Sequence, residues 1–451
     1  MDKIIEGVAE INSKTVSFRL IGNRLQITYK PDDAIFVTTA ELNDEGKVSF
    51  RRIEHIRVAT FYGTTNDSKR IAFKISTSIV RYFYDLIDCT LECYYILDSE
   101  RFNSITIISS DIHAITNDHN HPISMNNKEI TVCFEGQKRF FDVKLSDCST
   151  VEFSCYEAFK TMSKNKHPIE YLGQIQIVFD ETDSVDRAFE LIELARSFVT
   201  YLTFRRDIVF DEVFLGNFGK HNSRFIKKGT YYPLNNPDRI SNTELLTKRR
   251  IPFSLIENIA SSLIENISNN SIYTEHMRTS LTNRRLIYGS DIVTLTAGFE
   301  FEFGKSSIVI EKKKSEKDQV AYIKKRYNNI LKSDKLNSFG RSTVKNAAKH
   351  IDDLLLEAKL NSFFKTLPES FVFDWSGLYD TYNIPFKSSL ISKAVSEARN
   401  KIAHGDLVYQ ISQEVIMAFI MLESMIYFIQ LKRLGLDDET NCKCVKQLFG
   451  L

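Results

Sequence analysis

Tyr231 to Asn242 reads YYPLNNPDRISN, which gathers two of the eight prolines of the chain together with several turn-forming residues. Such a cluster punctuates regular structure, because proline removes a backbone donor and asparagine and aspartate satisfy the backbone locally. The apolar pattern differs on its two sides, and that difference decides the fold class.

Upstream, Val16 to Lys30 (VSFRLIGNRLQITYK) and the shorter runs KVSFRRI, RIAFKIST, LECYYILD, SITIISS, EITVCFEG, FFDVKL, TVEFSCYEAF and QIQIVFD are rich in β-branched and aromatic residues. Runs of this length and composition between turn signals read as strands. Asn43-Asp44-Glu45-Gly46 fits a hairpin turn between two of them. Regular spacing of short strands implies a sandwich or a barrel. One helix interrupts the series. Thr182 or Asp183 is positioned to cap it, and Leu191, Ile192, Ala195, Phe198, Val199 and Leu202 share one stripe at the 3.6-residue period. The strand-like run DIVFDEVFLG follows. A β-rich domain is therefore expected over 1–235, with a break between two subdomains near 150–180.

Downstream the strand signal fades and the helical period takes over, approximately at 243–268, 278–303, 316–333, 342–366, 388–403 and 410–434, with a short helix at the C-terminus. Ile411, Val415, Phe419, Leu422, Met425, Ile426 and Ile429 give the last long helix a broad apolar surface, which suits the centre of a bundle. The expected class is α+β: a β-rich N-terminal domain, sandwich- or barrel-like with one helix, then an all-α bundle over 243–451.

Length and composition agree with this division. The 451 residues exceed one ordinary domain, and 43% apolar with 26% charged residues belong to a globular chain rather than a disordered one. Lys plus Arg number 59 against 58 Asp plus Glu, a formal net charge of +1 that by itself gives no reason to think of nucleic acid. Split at the boundary, 1–240 carry 30 basic and 34 acidic side chains, whereas 241–451 carry 29 and 24. Lys305 to Lys349 hold 13 basic against 4 acidic residues, including Lys312-Lys313-Lys314 and Lys324-Lys325-Arg326, with Tyr322, Tyr327 and Phe339 among them. A cationic stretch interleaved with aromatics suits RNA, through phosphate attraction and base stacking; a solvated helix face is the plainer alternative.

Several classes are excluded. MDKIIEGVAEIN has acids among its first six residues and no apolar run after a basic start, unlike a secretory leader. Val415 to Leu431, about 17 residues and interrupted by Glu423, is short for a membrane span of roughly 20. The 7 cysteines are an odd, dilute set that reads as reduced thiols in the cytoplasm. No phosphate-binding G-x-x-x-x-G-K-[ST] loop, dinucleotide G-x-G-x-x-G turn or G-x-S-x-G nucleophile elbow occurs.

The sharpest local feature is Glu397-Ala398-Arg399-Asn400-Lys401-Ile402-Ala403-His404-Gly405. Leu390, Ile391, Ala394, Val395, Ala398 and Ile402 form the buried stripe of the helix leading into it. Asn400 and His404 are four apart and share a face while the helix lasts. Arg399 points about 100° away and meets His404 only if the helix opens near its end. Gly405 suits such an ending. Histidine is the side chain most easily poised as acid or base near neutral pH, and arginine offers a permanent charge matched to phosphate. Together with an orienting Asn, they have the makings of metal-free RNA cleavage through the ribose 2′-OH. By spacing alone, a helix-end Arg and a His bonding terminal carbonyls remain the competing reading.

The string Arg399-Asn400-Lys401-Ile402-Ala403-His404-Gly405 resembles the R-N-x(3)-H-G form of the R-x(4–6)-H signature of HEPN domains, set between the last two long helices of a C-terminal bundle. The overall layout is similar to the ApeA family of abortive-infection proteins, and Thr294 to Phe303 (TLTAGFEFEF) is similar to a helix that precedes the motif there. The resemblance implies a metal-independent endoribonuclease without cofactor, acting as a toxin in anti-phage defence on host or phage RNA, transfer RNA included. It implies His404 as acid/base, Arg399 as phosphate clamp and Asn400 as orienting group, in a homodimer that joins two motifs. The N-terminal domain would then sense a phage-derived trigger. A non-catalytic module for dimerisation or for nucleotide or RNA binding is the alternative that the resemblance also allows.

Other constellations carry less. Asp118-His119-Asn120-His121-Pro122 is the best metal candidate but lacks a partner motif, so no metal is expected. Cys442-Lys443-Cys444 has no second pair, and Cys89 and Cys93 are expected to pack. His55, His113, His167, His221, His276 and His350 are scattered, and Trp375, the single tryptophan, reads as a structural anchor.

Overall fold

The structure, a computed structural model, describes residues 4–11, 14–28, 38–42, 48–52, 60–82, 86–99, 101–117, 123–125, 130–132, 139–161, 169–219, 224–233, 248–280, 286–308, 314–332, 336–350, 355–405 and 410–451. Its contacts divide the chain into two compact units, Met1–Ser271 with Met277–Arg284, and Ile272–His276 with Arg285–Leu451. The first is built on antiparallel strands and the second on helices, so the class is α+β with a β-rich N-terminal region. The expected subdomain break and the 231–242 boundary fare differently. Thr150–Thr161 and Ile169–Thr182 pair antiparallel within this stretch, and 234–247 lie outside the described residues. The helices next in the chain belong to the first unit.

The strands are β1 (Ile4–Ile11), β2 (Lys14–Ile21), β3 (Arg24–Thr28), β4 (Thr38–Leu42), β5 (Val48–Arg52), β6 (Thr60–Thr65), β7 (Arg70–Tyr82), β8 (Leu86–Leu97), β9 (Phe102–Ser109), β10 (Ile123–Met125), β11 (Ile130–Val132), β12 (Phe141–Lys144), β13 (Thr150–Thr161), β14 (Ile169–Thr182), β15 (Glu212–Phe218) and β16 (Phe225–Pro233). One sheet runs β12-β13-β14-β9-β15-β16-β8-β3-β2-β1-β6-β7, and β7 also pairs with β8. That extra pairing closes β8, β3, β2, β1, β6 and β7 into a ring, a small barrel filled by residues such as Phe18, Leu25, Ile27, Phe61, Ile71 and Phe73. Alternation supplies these residues: in β3 the burial runs exposed, buried, intermediate, buried, exposed. β8 serves two neighbours along one edge, pairing with β3 over Leu86–Thr90 and with β16 over Cys93–Leu97.

The other strands of this sheet, β12-β13-β14-β9-β15-β16, form its open part and carry α1 (Ser110–Thr116) and α2 (Val185–Thr203), while β4 pairs with β5 and β10 with β11 in separate two-stranded sheets. In α2 all six stripe residues named above are buried. Its cap is Ser184, whose side chain accepts from the Arg187 N–H, and not Thr182 or Asp183, because β14 is still paired at Thr182. Gly173 of β14 is where α1 crosses: a Cβ there would stand 1.8 Å from the His113 backbone nitrogen. Arg205 is buried between Asp111 and Asp207, and Asp111 also accepts the Val209 N–H at 2.8 Å. α3 (Phe253–Ile256), a single 3-10 turn and α4 (Ala260–Ser268) complete this unit, with α4 packed on α2 and β12.

The second unit contains α5 (Gly289–Lys305), α6 (Lys314–Leu331), α7 (Ser338–His350), α8 (Leu356–Phe364), α9 (Glu369–Thr381), α10 (Ser388–Ala403), α11 (Gln413–Arg433) and α12 (Asp438–Phe449). The expected helix over 342–366 is two helices, α7 and α8. α9 falls between the helices expected at 342–366 and 388–403, and its Phe371, Trp375 and Tyr379 recur every four residues behind Pro368 and are all buried. α5, α8, α10 and α11 pack on one another. α11 is central, with Val415, Phe419, Leu422, Met425, Ile426 and Ile429 buried and apolar residues on every side. It is long and apolar enough to cross a membrane, but 83% of that window is buried inside the structure.

Two acids lie in this apolar core, Glu302 of α5 and Glu423 of α11. Glu302 of α5 is fully buried, accepts the Tyr273 N–H at 2.7 Å and Gln430 Nε2 at 3.0 Å, and pairs with Arg433 Nη2 at 3.1 Å. Gln430 Nε2 also donates to the Tyr273 carbonyl at 3.0 Å. The carboxylate is thus matched on both oxygens, as a buried charge requires.

Candidate active site

α10 carries the candidate motif at its carboxyl end. Ile391, Val395 and Ala398 are buried as expected, with Ser392 beside them, whereas Ala394 and Ile402 are partly buried and Leu390 is 48% exposed. The helix does not unwind before the histidine. His404 is the C-cap, its N–H donating to the Asn400 carbonyl at 3.0 Å, and Gly405 follows at φ +80° with its N–H on the Ile402 carbonyl at 3.0 Å. An added Cβ on Gly405 would meet nothing within 4 Å, so the backbone angle and not space asks for glycine here.

Two of the three candidates are joined directly. Arg399 Nη1 donates to Asn400 Oδ1 at 3.1 Å, so the guanidinium reaches around the helix to its neighbour without any opening of the last turn. His404 lies one turn on from Asn400 along the same face. Asn400 and His404 are exposed and Arg399 is partly buried. Among the described residues no hydrogen bond ties the His404 ring to Arg399 or Asn400; residues 406–409, which follow Gly405, lie outside them.

A neighbour that motif reading does not reach is the start of α5. A methyl group on Gly289 would stand 3.6 Å from Ile402 Cγ2, so the first turn of α5 lies against the last turn of α10. Tyr288, 56% exposed, precedes it, and its N–H donates to Asp291 Oδ2 at 2.9 Å. The amino end of one helix and the carboxyl end of another therefore meet beside the motif, and their dipoles favour anions at the first and cations at the second. Nothing local in the sequence signals this meeting of distant segments.

The described basic candidates lie on a different helix from the motif. Lys312 and Lys313 lie outside the described residues and Lys314 is the first residue of α6. Lys324, Lys325 and Arg326 are exposed on α6, which packs chiefly on α7. The Asp118–Pro122 string, His55, His167 and His221 also lie outside the described residues. Among the described residues no group of three or more His, Cys, Asp or Glu side chains could hold a metal ion. Cys442 and Cys444 sit in α12, where burial pushes the Cys444 thiol up to about 12, and the Cys442 sulfur meets Ser370 Oγ at 3.4 Å. Burial likewise raises Cys93 of β8 to about 12. Buried thiols held neutral are poor nucleophiles and poor metal ligands. Trp375 is fully buried in α9 against Tyr379, the anchor role expected of it.

No family model, curated protein or solved structure matches this chain.

Proposed function

We propose that this chain is a metal-independent endoribonuclease of the HEPN type, acting in the cytoplasm as a toxin in anti-phage abortive infection. The observation that carries the reading is the exposed end of α10, where Arg399 and Asn400 are hydrogen-bonded and His404 follows one turn on at the cap. A polar trio whose side chains anchor no core is available to a ligand, and these three have the chemistry for RNA.

In the proposed reaction a ring nitrogen of His404 takes the proton of a ribose 2′-OH. The 2′-oxygen attacks the adjacent phosphorus, the bond from phosphorus to the 5′-oxygen breaks, and a 2′,3′-cyclic phosphate and a 5′-hydroxyl result. Arg399 stabilises the charge gathering on the phosphate oxygens, and Asn400 holds the guanidinium in place. One histidine per chain cannot act as base and acid in the same step. The proton for the departing 5′-oxygen comes from the motif of a second copy, which is why a homodimer belongs to the proposal. The N-terminal unit is read as the sensor of a phage-derived trigger, and transfer RNA as the favoured target.

The test is RNA cleavage by the purified chain in EDTA, with the new ends sequenced. Cyclic phosphate ends that vanish with His404→Ala support the reading. RNA binding or dimerisation without cleavage replaces it with the non-catalytic module, and cleavage unchanged by His404→Ala removes His404 from the reaction.

A further inference from the structure

α6 and α7 form an antiparallel helical hairpin whose helices pack chiefly on each other. On α6, Val320, Tyr327 and Leu331 are partly buried and recur on one stripe; on α7, Gly340, Val344 and Ala348 do the same at four-residue spacing, in line with the partly buried Leu336 just before the helix. The two helices pack on each other, and among the described residues the rest of their surface is mostly open to solvent. Tyr327, one of three aromatics in the basic stretch, is thus on the partly buried stripe of α6.

The other two aromatics point outward. Tyr322 is 55% exposed and lies beside Arg326, and Phe339 is 78% exposed. Lys325 and Arg326 stand three and four residues beyond Tyr322, on its face of the helix. Arg326 stacks over the Tyr322 ring at 5.3 Å and donates to its hydroxyl at 2.8 Å, which leaves the opposite face of the ring open. A large apolar ring left in water is unfavourable, and on a surface this basic the matching occupant is an anion with flat apolar faces. A nucleic-acid strand with unpaired bases has both: phosphates for Lys325 and Arg326, and π-faces for Tyr322 and Phe339. A second copy of the hairpin would instead bring like charges together.

We propose that the α6–α7 hairpin is an arm that grips unpaired RNA, with Lys325 and Arg326 on the backbone and Tyr322 and Phe339 stacking bases. The proposal rests on the endoribonuclease reading and adds to it a substrate grip separate from the Arg399–His404 end of α10.

The full chain with His404→Ala, which holds RNA without cutting it, is titrated against a fluorescent oligouridylate of about 20 nucleotides at several salt concentrations. Adding Lys325→Glu with Arg326→Glu is expected to weaken binding about tenfold or more and to flatten the log–log salt slope by about 1.4. Adding Phe339→Ala is expected to weaken binding about fivefold or more with the slope unchanged. All these positions are exposed, so helicity and the unfolding midpoint stay as they were. Lys443→Glu on α12 controls for a charge reversal away from the arm and leaves binding unchanged. The arm is overturned if its variants bind like the parent, if Lys443→Glu weakens binding equally, or if the chain takes up anionic phosphatidylserine vesicles but not the oligonucleotide. The two proposals fail differently. A chain that never cuts RNA yet binds through the arm sinks the nuclease reading alone. A chain whose cleavage needs His404 but ignores the arm variants sinks the arm alone.

Discussion

Two arginines of the helical unit make opposite use of the same side chain. Arg433 closes on a fully buried carboxylate, Glu302, which also accepts a backbone N–H and an amide, so the charges there are spent on one another. Arg399 sits at an open helix end, bonded only to the exposed amide of Asn400 among the bonds described, next to an exposed histidine. The β-rich unit repeats the first pattern, with Arg205 buried between Asp111 and Asp207. Buried, saturated charge holds a fold together; exposed polar groups with unspent capacity are where chemistry is sought.

Variants at the two arginine sites should therefore separate activity from stability. The largest expected effect is on rate: His404→Ala lowers RNA cleavage about 10²- to 10⁴-fold while its thermal midpoint matches the parent. Equal loss of midpoint and activity would place His404 with the structural group. Next, Arg433→Ala leaves Glu302 buried without its cation and should cost about 3–5 kcal/mol in denaturant unfolding. Arg433→Met with Glu302→Gln should recover most of that, since the amide still accepts from Tyr273, whereas Arg399→Ala should leave stability within about 0.5 kcal/mol. Smaller still, Gly405→Ala should cost about 1 kcal/mol through its left-handed backbone, and Gly405→Asn less, by calorimetry. The smallest concerns Asp437, which caps α12 by accepting the Thr440 N–H; that bond holds its carboxyl below the usual range. A carboxyl lowered by folding adds stability at neutral pH that is lost as pH falls through its folded value. Acid titration of α12 helicity should thus show a late loss that Asp437→Asn, still a cap, removes.

The strands and most helices were legible because alternation and the 3.6 period are local consequences of which face is wet. α2 and α11 buried the stripes their spacing marked. The motif was legible for the same reason: Arg399, Asn400 and His404 lie within one helix end. What spacing could not supply was the outcome at the cap. The helix keeps its hydrogen bonds to His404, and Arg399 meets Asn400 by the reach of its own side chain. The aromatic stripe of α9 has the local pattern of neither a strand nor an aliphatic helix, and packing alone puts Phe371, Trp375 and Tyr379 in the core.

By itself, then, the sequence determined the order of β-rich and helical regions, the apolar faces, the opposite charge of the two halves and the polar trio at one helix end. These depend on neighbours a few residues apart. Tertiary structure alone decided that β7 and β8 close a barrel, that Glu302 is matched by Arg433 and Tyr273, and that α5 begins beside the motif. It also decided which aromatics of the basic stretch face outward. Each of these joins segments whose meeting depends on how whole elements pack, and no local pattern of residues encodes that.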